Sequence, residues 1–242
     1  MLVHNPFFKK IQLAKKGQPS ASYVGVALKS LWFWLLCFIG AALYKFMPLT
    51  VEGIPLLCAG LVIAIVCPFL SYWFPATTMI TGSLYSVVQG FLLALICHDF
   101  IAEYDSLIWI AVGVTASVFF IILILYGSGI VKVNHKFRTV LLALFLLSIL
   151  GSSVIFISSF FTSSLTNLFW GNSSIAIAVA FGTLLLAIIN LVFEFDFTVK
   201  LIKKGACKKY EWIAAYGLFM TVVMIFLRVL ELLSRFIDKK EH

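Results

Sequence analysis

The chain has 242 residues, 62% of them hydrophobic and only 12% charged, with a formal net charge of +8 and a mean hydropathy of +1.09. Soluble domains are about 45–50% apolar and about 25% charged, so a water-soluble enzyme, a secreted disulfide scaffold and a disordered chain are excluded. A spanning helix needs roughly 20 apolar residues, so the expected fold is all-α: a polytopic membrane protein of seven transmembrane helices with no second soluble domain.

Residues 1–27 read as a basic amino-terminal tail, with Lys9, Lys10, Lys15 and Lys16 and no acid. Pro6, Phe7, Phe8, Ile11 and Leu13 among these lysines suit a short interfacial helix; an unstructured tail is the alternative. The pattern of a signal peptide is missing, so the first span is expected to stay in the mature protein. Apolar segments follow at 28–47, 53–71, 77–97, 107–126, 138–160, 174–197 and 212–236. Together they define a transmembrane domain over 28–237 and leave 238–242 as a carboxyl-terminal tail. Pro48, Pro75, the polar stretch His98–Asp105, Gly127–Gly129 and Gly171–Asn172 are read as the breaks. Gly82 with Gly90, Gly113 with Ser117 and Ala178 with Gly182 are expected helix contacts, because small residues let backbones approach in lipid.

The positive charge does not point to nucleic acid. Lysines and arginines gather between apolar runs, where they orient the chain in the bilayer and touch anionic headgroups. Lys132, Lys136 and Arg138 mark one connection; Lys200, Lys203, Lys204, Lys208 and Lys209 mark another. Asp99, Glu103 and Asp105 mark a purely acidic one. The expected topology places the amino terminus in the cytoplasm of a cell (inner) membrane and the acidic connection outside. Arg235, Lys239 and Lys240 pull the other way, and a re-entrant last segment would remove that conflict. Cys37, Cys58, Cys67, Cys97 and Cys207 form no CxxC and read as small packing residues, with no disulfide, metal or cofactor role.

Ionisable groups at membrane depth are costly and are the first functional candidates. Glu194 and Asp196 close the sixth segment, while Arg228 and Glu231 lie within the seventh. Gln89 and Asn190 are polar at depth, and Lys29 and Lys45 are close enough to span ends to snorkel. Residues two apart on a helix point about 200° apart, so Glu194 and Asp196 do not share one site. Lys200 stands one turn beyond Asp196 and Glu231 stands three residues beyond Arg228, so each is a local ion-pair partner. His4, His98, His135 and His242 all lie outside the spans, which leaves Ser128 without a base. Asp196 has no second aspartate in the last span for an intramembrane protease. No enzyme is expected.

The order of several short motifs resembles the Bax inhibitor-1/YccA family, also called TMBIM, and most of all its bacterial branch with a longer amino-terminal tail. They are Asn5-Pro6-Phe7-Phe8, Gln89-Gly90, Tyr126-Gly127-Ser128-Gly129 leading to Lys136-Phe137, Phe193-Glu194-Phe195-Asp196-Phe197, Gly205, Trp212 and Leu230-Glu231-Leu232-Leu233-Ser234. The resemblance implies a seven-helix bundle with the last helix central, and a pH-modulated calcium leak. In the family, a carboxylate ending the sixth span faces another in the seventh as a pH-sensitive latch, and Asp196 matches the first. Arg228 stands where the second is expected, Glu231 where the branch carries arginine, and Gln89 where it carries a third acid.

Two functions follow as expectations. The first is a calcium or other cation leak with a weakened or altered pH latch, with Asp196, Arg228, Glu231, Glu194 and Gln89 along the ion pathway. Asp99, Glu103 and Asp105 would form its outer mouth. The second is a non-conducting regulator or scaffold that binds another membrane protein, such as a quality-control protease. A coupled transporter ranks third, since no clear inverted repeat is present.

Overall fold

The structure is a computed structural model that describes residues 19–46, 54–128, 139, 143–144, 150 and 174–241. The tail motif at Asn5–Leu13, Pro48, the connection Lys132–Arg138, the fifth apolar segment 138–160 and Gly171–Asn172 lie outside the described residues.

Five α-helices are described: α1 (Tyr23–Leu43), α2 (Ile54–Trp73), α3 (Thr78–Gly127), α4 (Ser174–Lys203) and α5 (Glu211–Glu241). Short 3-10 turns at Pro75–Thr77 and Lys208–Tyr210 lead into α3 and α5. The described residues form no strand; an isolated bridge joins Ser20 to Cys207. Among the described residues, five stretches are long and apolar enough to cross a membrane: Tyr23–Leu43, Pro75–His98, Leu107–Tyr126, Ile175–Lys203 and Lys208–Phe236. In α2, the apolar helical stretch Val62–Ser71 is shorter, and Pro68 lies inside that helix.

Several boundaries differ from the hydropathy reading, each for a local reason. The first helix begins at Tyr23, ahead of residue 28, because the Ser22 side chain caps it by accepting from the Gly25 amide at 3.0 Å. At the far end, α5 runs on to Glu241, so helix occupies most of what reads as a short tail. The polar stretch His98–Asp105 is not a break: α3 is helical through it. Charges there lower the hydropathy, but no proline or glycine falls between Gly90 and Gly113 to stop a helix.

The chain divides into two compact units, one of Met1–Glu103 with Phe197–Met220 and the other of Tyr104–Asp196 with Thr221–His242. In the first unit, Phe33 of α1 is fully buried against Trp212, Tyr216 and Phe219 of α5, with ring centroids 5.7–6.0 Å apart. Tyr85 of α3 meets Tyr216 edge-on at 5.3 Å. Helices α1 and α3 touch backbone to side: a Cβ on Gly40 would overlap the Val87 carbonyl, and one on Gly90 would overlap the Cys37 carbonyl. In the second unit, Phe195 of α4 packs against Phe119 and stacks on Tyr126, both of α3, at 5.5 and 6.2 Å.

The small-residue reading is therefore corrected in part. Gly82 and Gly90 do face neighbours, but among the described residues an added Cβ at Gly113 or Gly182 meets nothing within 4 Å, and Ser117 and Ala178 are exposed. Spacing alone does not say which face of a helix is covered. Gly40→Ala and Gly90→Ala should each lower thermal stability by about 1–3 kcal/mol through overpacking against backbone. Gly113→Ala and Gly182→Ala should be neutral or stabilising by about 0.5–1 kcal/mol, since alanine is the better helix former. Melting of the purified variants in detergent distinguishes the two pairs.

Candidate functional site

Each unit holds a cluster of ionised side chains among apolar residues. In the first, Glu211 opens α5 and has no exposed side-chain surface, and its carboxylate pairs with the Lys29 ammonium of α1, which is 13% exposed. The Ser22 amide donates to Glu211 Oε1 at 2.8 Å, and the Ser22 hydroxyl donates to the same oxygen at 3.1 Å. Lys29 also lies over the Trp212 ring, 5.1 Å from its centre, and donates to the Lys208 carbonyl at 3.5 Å. Gly25 leaves room beside this cluster, since a Cβ there would overlap the Glu211 carboxylate where it now sits.

Backbone pairing continues the same end of the unit. The Ala21 amide donates to the Ala206 carbonyl at 2.8 Å, and the Lys208 amide donates to the Pro19 carbonyl at 3.3 Å. Gly205, at φ 65°, makes the tight reversal between α4 and the turn before α5. Ala21, Leu201, Ala206 and Tyr210 form a small buried core beneath it.

In the second unit, Asp196 of α4 is 7% exposed, and the Tyr126 hydroxyl of α3 donates to its Oδ1 at 3.1 Å. One and a half turns earlier on α4, Asn190 donates from Nδ2 to the Thr221 hydroxyl of α5 at 3.3 Å. Further along α5, Glu231 lies between two guanidinium groups. Arg228 Nη1 donates to its Oε2 and Arg235 Nη2 to its Oε1, both at 2.8 Å. Glu194 is half-buried.

Among the residues singled out from sequence, the structure thus joins Arg228 to Glu231 and gives Asp196 the Tyr126 hydroxyl. Gln89 is buried on α3 in the first unit. Asp99, Glu103 and Asp105 fall on the helical backbone of α3, and their side chains lie outside the described ones.

Sequence reasoning missed Glu211, Ser22, Thr221 and the hydroxyl of Tyr126, and it read Lys29 as snorkelling and Arg235 only as an orientation charge. Scarcity was the available signal for the Lys29 pair. Glu211 is the sole acid between Asp196 and Glu231, and Lys29 the sole cation between Lys16 and Lys45. Each needs a partner in lipid.

A family profile described as Bax inhibitor 1 like matches residues 5–238. The chain belongs to the Bax inhibitor 1 like family. No curated protein matches it. Within this family member the Lys29–Glu211 pair is the cleanest site to probe energetically. Lys29→Met or Glu211→Gln alone strands a buried charge and should cost about 3–5 kcal/mol. The double variant keeps an acceptor for Ser22 and should recover most of that loss. Thermal unfolding of the four proteins in one detergent measures the coupling.

Proposed function

We propose that this Bax inhibitor-type membrane protein is a passive leak for calcium or other cations in a cell membrane, with Asp196 as the carboxylate that a permeating ion meets. The observation that carries this reading is the burial of Asp196 on a membrane-spanning stretch, held by the Tyr126 hydroxyl. A carboxylate at such depth is costly and is kept where it serves an ion or proton path. In this reading α2 and the fifth apolar segment add two crossings to the five qualifying stretches, giving seven, and α5 is the central helix. The stretch Lys208–Phe236 is 61% buried, against 17–33% for the other four, which supports that role for α5.

The gating differs from a latch made of two carboxylates. Glu231 is occupied by Arg228 and Arg235, so the last helix brings a fixed ion cluster where a proton-sharing acid pair would be. Two neighbouring carboxylates share a proton and switch as a pair. The amino terminus is cytoplasmic in this reading, and Asp99, Glu103 and Asp105 gather cations at the outer mouth.

Proteoliposomes holding a calcium indicator test the reading. Wild-type protein should pass calcium at a rate that stays flat between about pH 6 and 8, and Asp196→Asn should slow it while Gly182→Ala does not. A wild-type protein that passes no calcium at any pH would instead favour a non-conducting regulator acting on another membrane protein, such as a quality-control protease. Orientation is checked separately: a membrane-impermeant thiol reagent added to intact cells should leave Cys207 unlabelled, and labelling it would reverse the topology.

A further inference from the structure

Buried tyrosine hydroxyls ordinarily find a partner, as Tyr126 does with Asp196. Tyr216 of α5 does not: it is 4% exposed, and its hydroxyl is buried with no hydrogen-bond partner. The ring is confined on several sides. Phe33 of α1 lies 5.7 Å from it, and Tyr85 of α3 meets it edge-on at 5.3 Å. Gly82 of α3 leaves room for the ring edge, since a Cβ there would stand 3.2 Å from Tyr216 Cδ2. Confined in this way, the side chain does not reach the bilayer surface to find a polar group.

A second stranded hydroxyl stands close by in the fold. Serine and threonine hydroxyls in a helix commonly bond back to a carbonyl one turn earlier. Thr81, Ser83 and Ser86 do so to Thr77, Met79 and Gly82 at 2.6–3.1 Å. Ser30 Oγ is buried and makes no such bond. It precedes Phe33 by three residues, on the face of α1 that buries Val26, Phe33, Cys37 and Gly40. Phe33 thus has one stranded hydroxyl a turn before it on its own helix and another on the ring that it touches. Tyr216 also lies within electrostatic reach of the Tyr85 phenol and of the Cys67 thiol of α2, yet it is bonded to neither.

We propose that the first unit binds a water molecule on the Tyr216 hydroxyl, bridging it to the hydroxyl of Tyr85. A phenol both donates and accepts, so its guest must offer both functions. An ion there would need a counter-charge, and Lys29 and Glu211 already pair with each other. A neutral water needs none. Buried waters typically make about three hydrogen bonds to groups otherwise left unsatisfied, and the two phenols with the Cys67 thiol supply that set. Phenylalanine would fill the same ring space without a hydroxyl to satisfy, so Tyr216 is a binding group as well as a packing one. The site lies apart in sequence and unit from Asp196 and does not rest on the leak reading.

The test is X-ray hydroxyl-radical labelling of the full chain in nanodiscs, because radiolysis of a bound water oxidises the side chain that it touches. Mass spectrometry should find Tyr216 oxidised severalfold faster than Phe219, an aromatic of the same helix with no exposed surface. In Tyr216→Phe, oxidation at that position should fall to the level of Phe219. The variant should also melt below wild type, because the water loses one partner and Tyr85 loses its bridge. A hydroxyl that is merely stranded predicts the reverse, since deleting it removes an unmet hydrogen-bonding group. Wild-type Tyr216 oxidised no faster than Phe219, or a Tyr216→Phe variant that melts at or above wild type, overturns the proposal. The labelling rates are read on the wild-type protein, so they decide the matter even where the variant fails to fold. Calcium flux does not enter either readout, so failure here and failure of the leak reading are distinguishable.

Discussion

The pairing of Lys29 with Glu211 is the interaction on which the first unit depends. In lipid neither charge can stand alone, so the start of α1 and the start of α5 must meet. Once they meet, helix register does the rest. Phe33, Cys37 and Gly40 follow Lys29 at intervals of three or four residues, and all three are buried. On α5 the residues following Glu211 bring Trp212, Tyr216 and Phe219 to Phe33. The same pair explains two local choices. Ser22 serves both as the cap of α1 and as a donor to Glu211, and Gly25 leaves the space that the carboxylate fills.

The two units handle membrane charge in different ways. The first matches one ammonium to one carboxylate and adds hydroxyl and amide donors. The second gathers two guanidiniums on one carboxylate along α5 and keeps Asp196 on α4 with a tyrosine hydroxyl. A hydroxyl is a neutral partner: it satisfies a lone pair and cancels no charge.

Much of the helical plan was legible because apolar runs of membrane length have few other uses. Segments read at 77–97, 107–126, 174–197 and 212–236 all fall within described helices. The failure at His98–Asp105 is instructive, since hydropathy reports preference for lipid and says nothing about backbone geometry. Seven apolar runs were read, and five described stretches qualify as spans. Arg228 and Glu231 were legible as neighbours because three residues on a helix is a contact distance. Glu211 was not, since its partner lies 182 residues away in the chain and no local periodicity encodes that. Likewise the glycine spacing flagged Gly90 and Gly182 equally, and only the position of neighbouring backbone separates them.

The placement of Asp196 shows how an aromatic contact can set an electrostatic one. Phe195 and Asp196 are consecutive on α4, and Tyr126 engages both: its ring stacks on Phe195 and its hydroxyl donates to Asp196. Stacking fixes the plane and approach of the phenol, so the hydroxyl is aimed before the hydrogen bond forms. The bond costs little further side-chain entropy because the ring is already ordered. Phe119 also packs against the Phe195 ring. The carboxylate is thereby held in place by a neutral group on a helix other than its own. One ring thus serves two purposes, filling space against Phe195 and presenting a donor to Asp196.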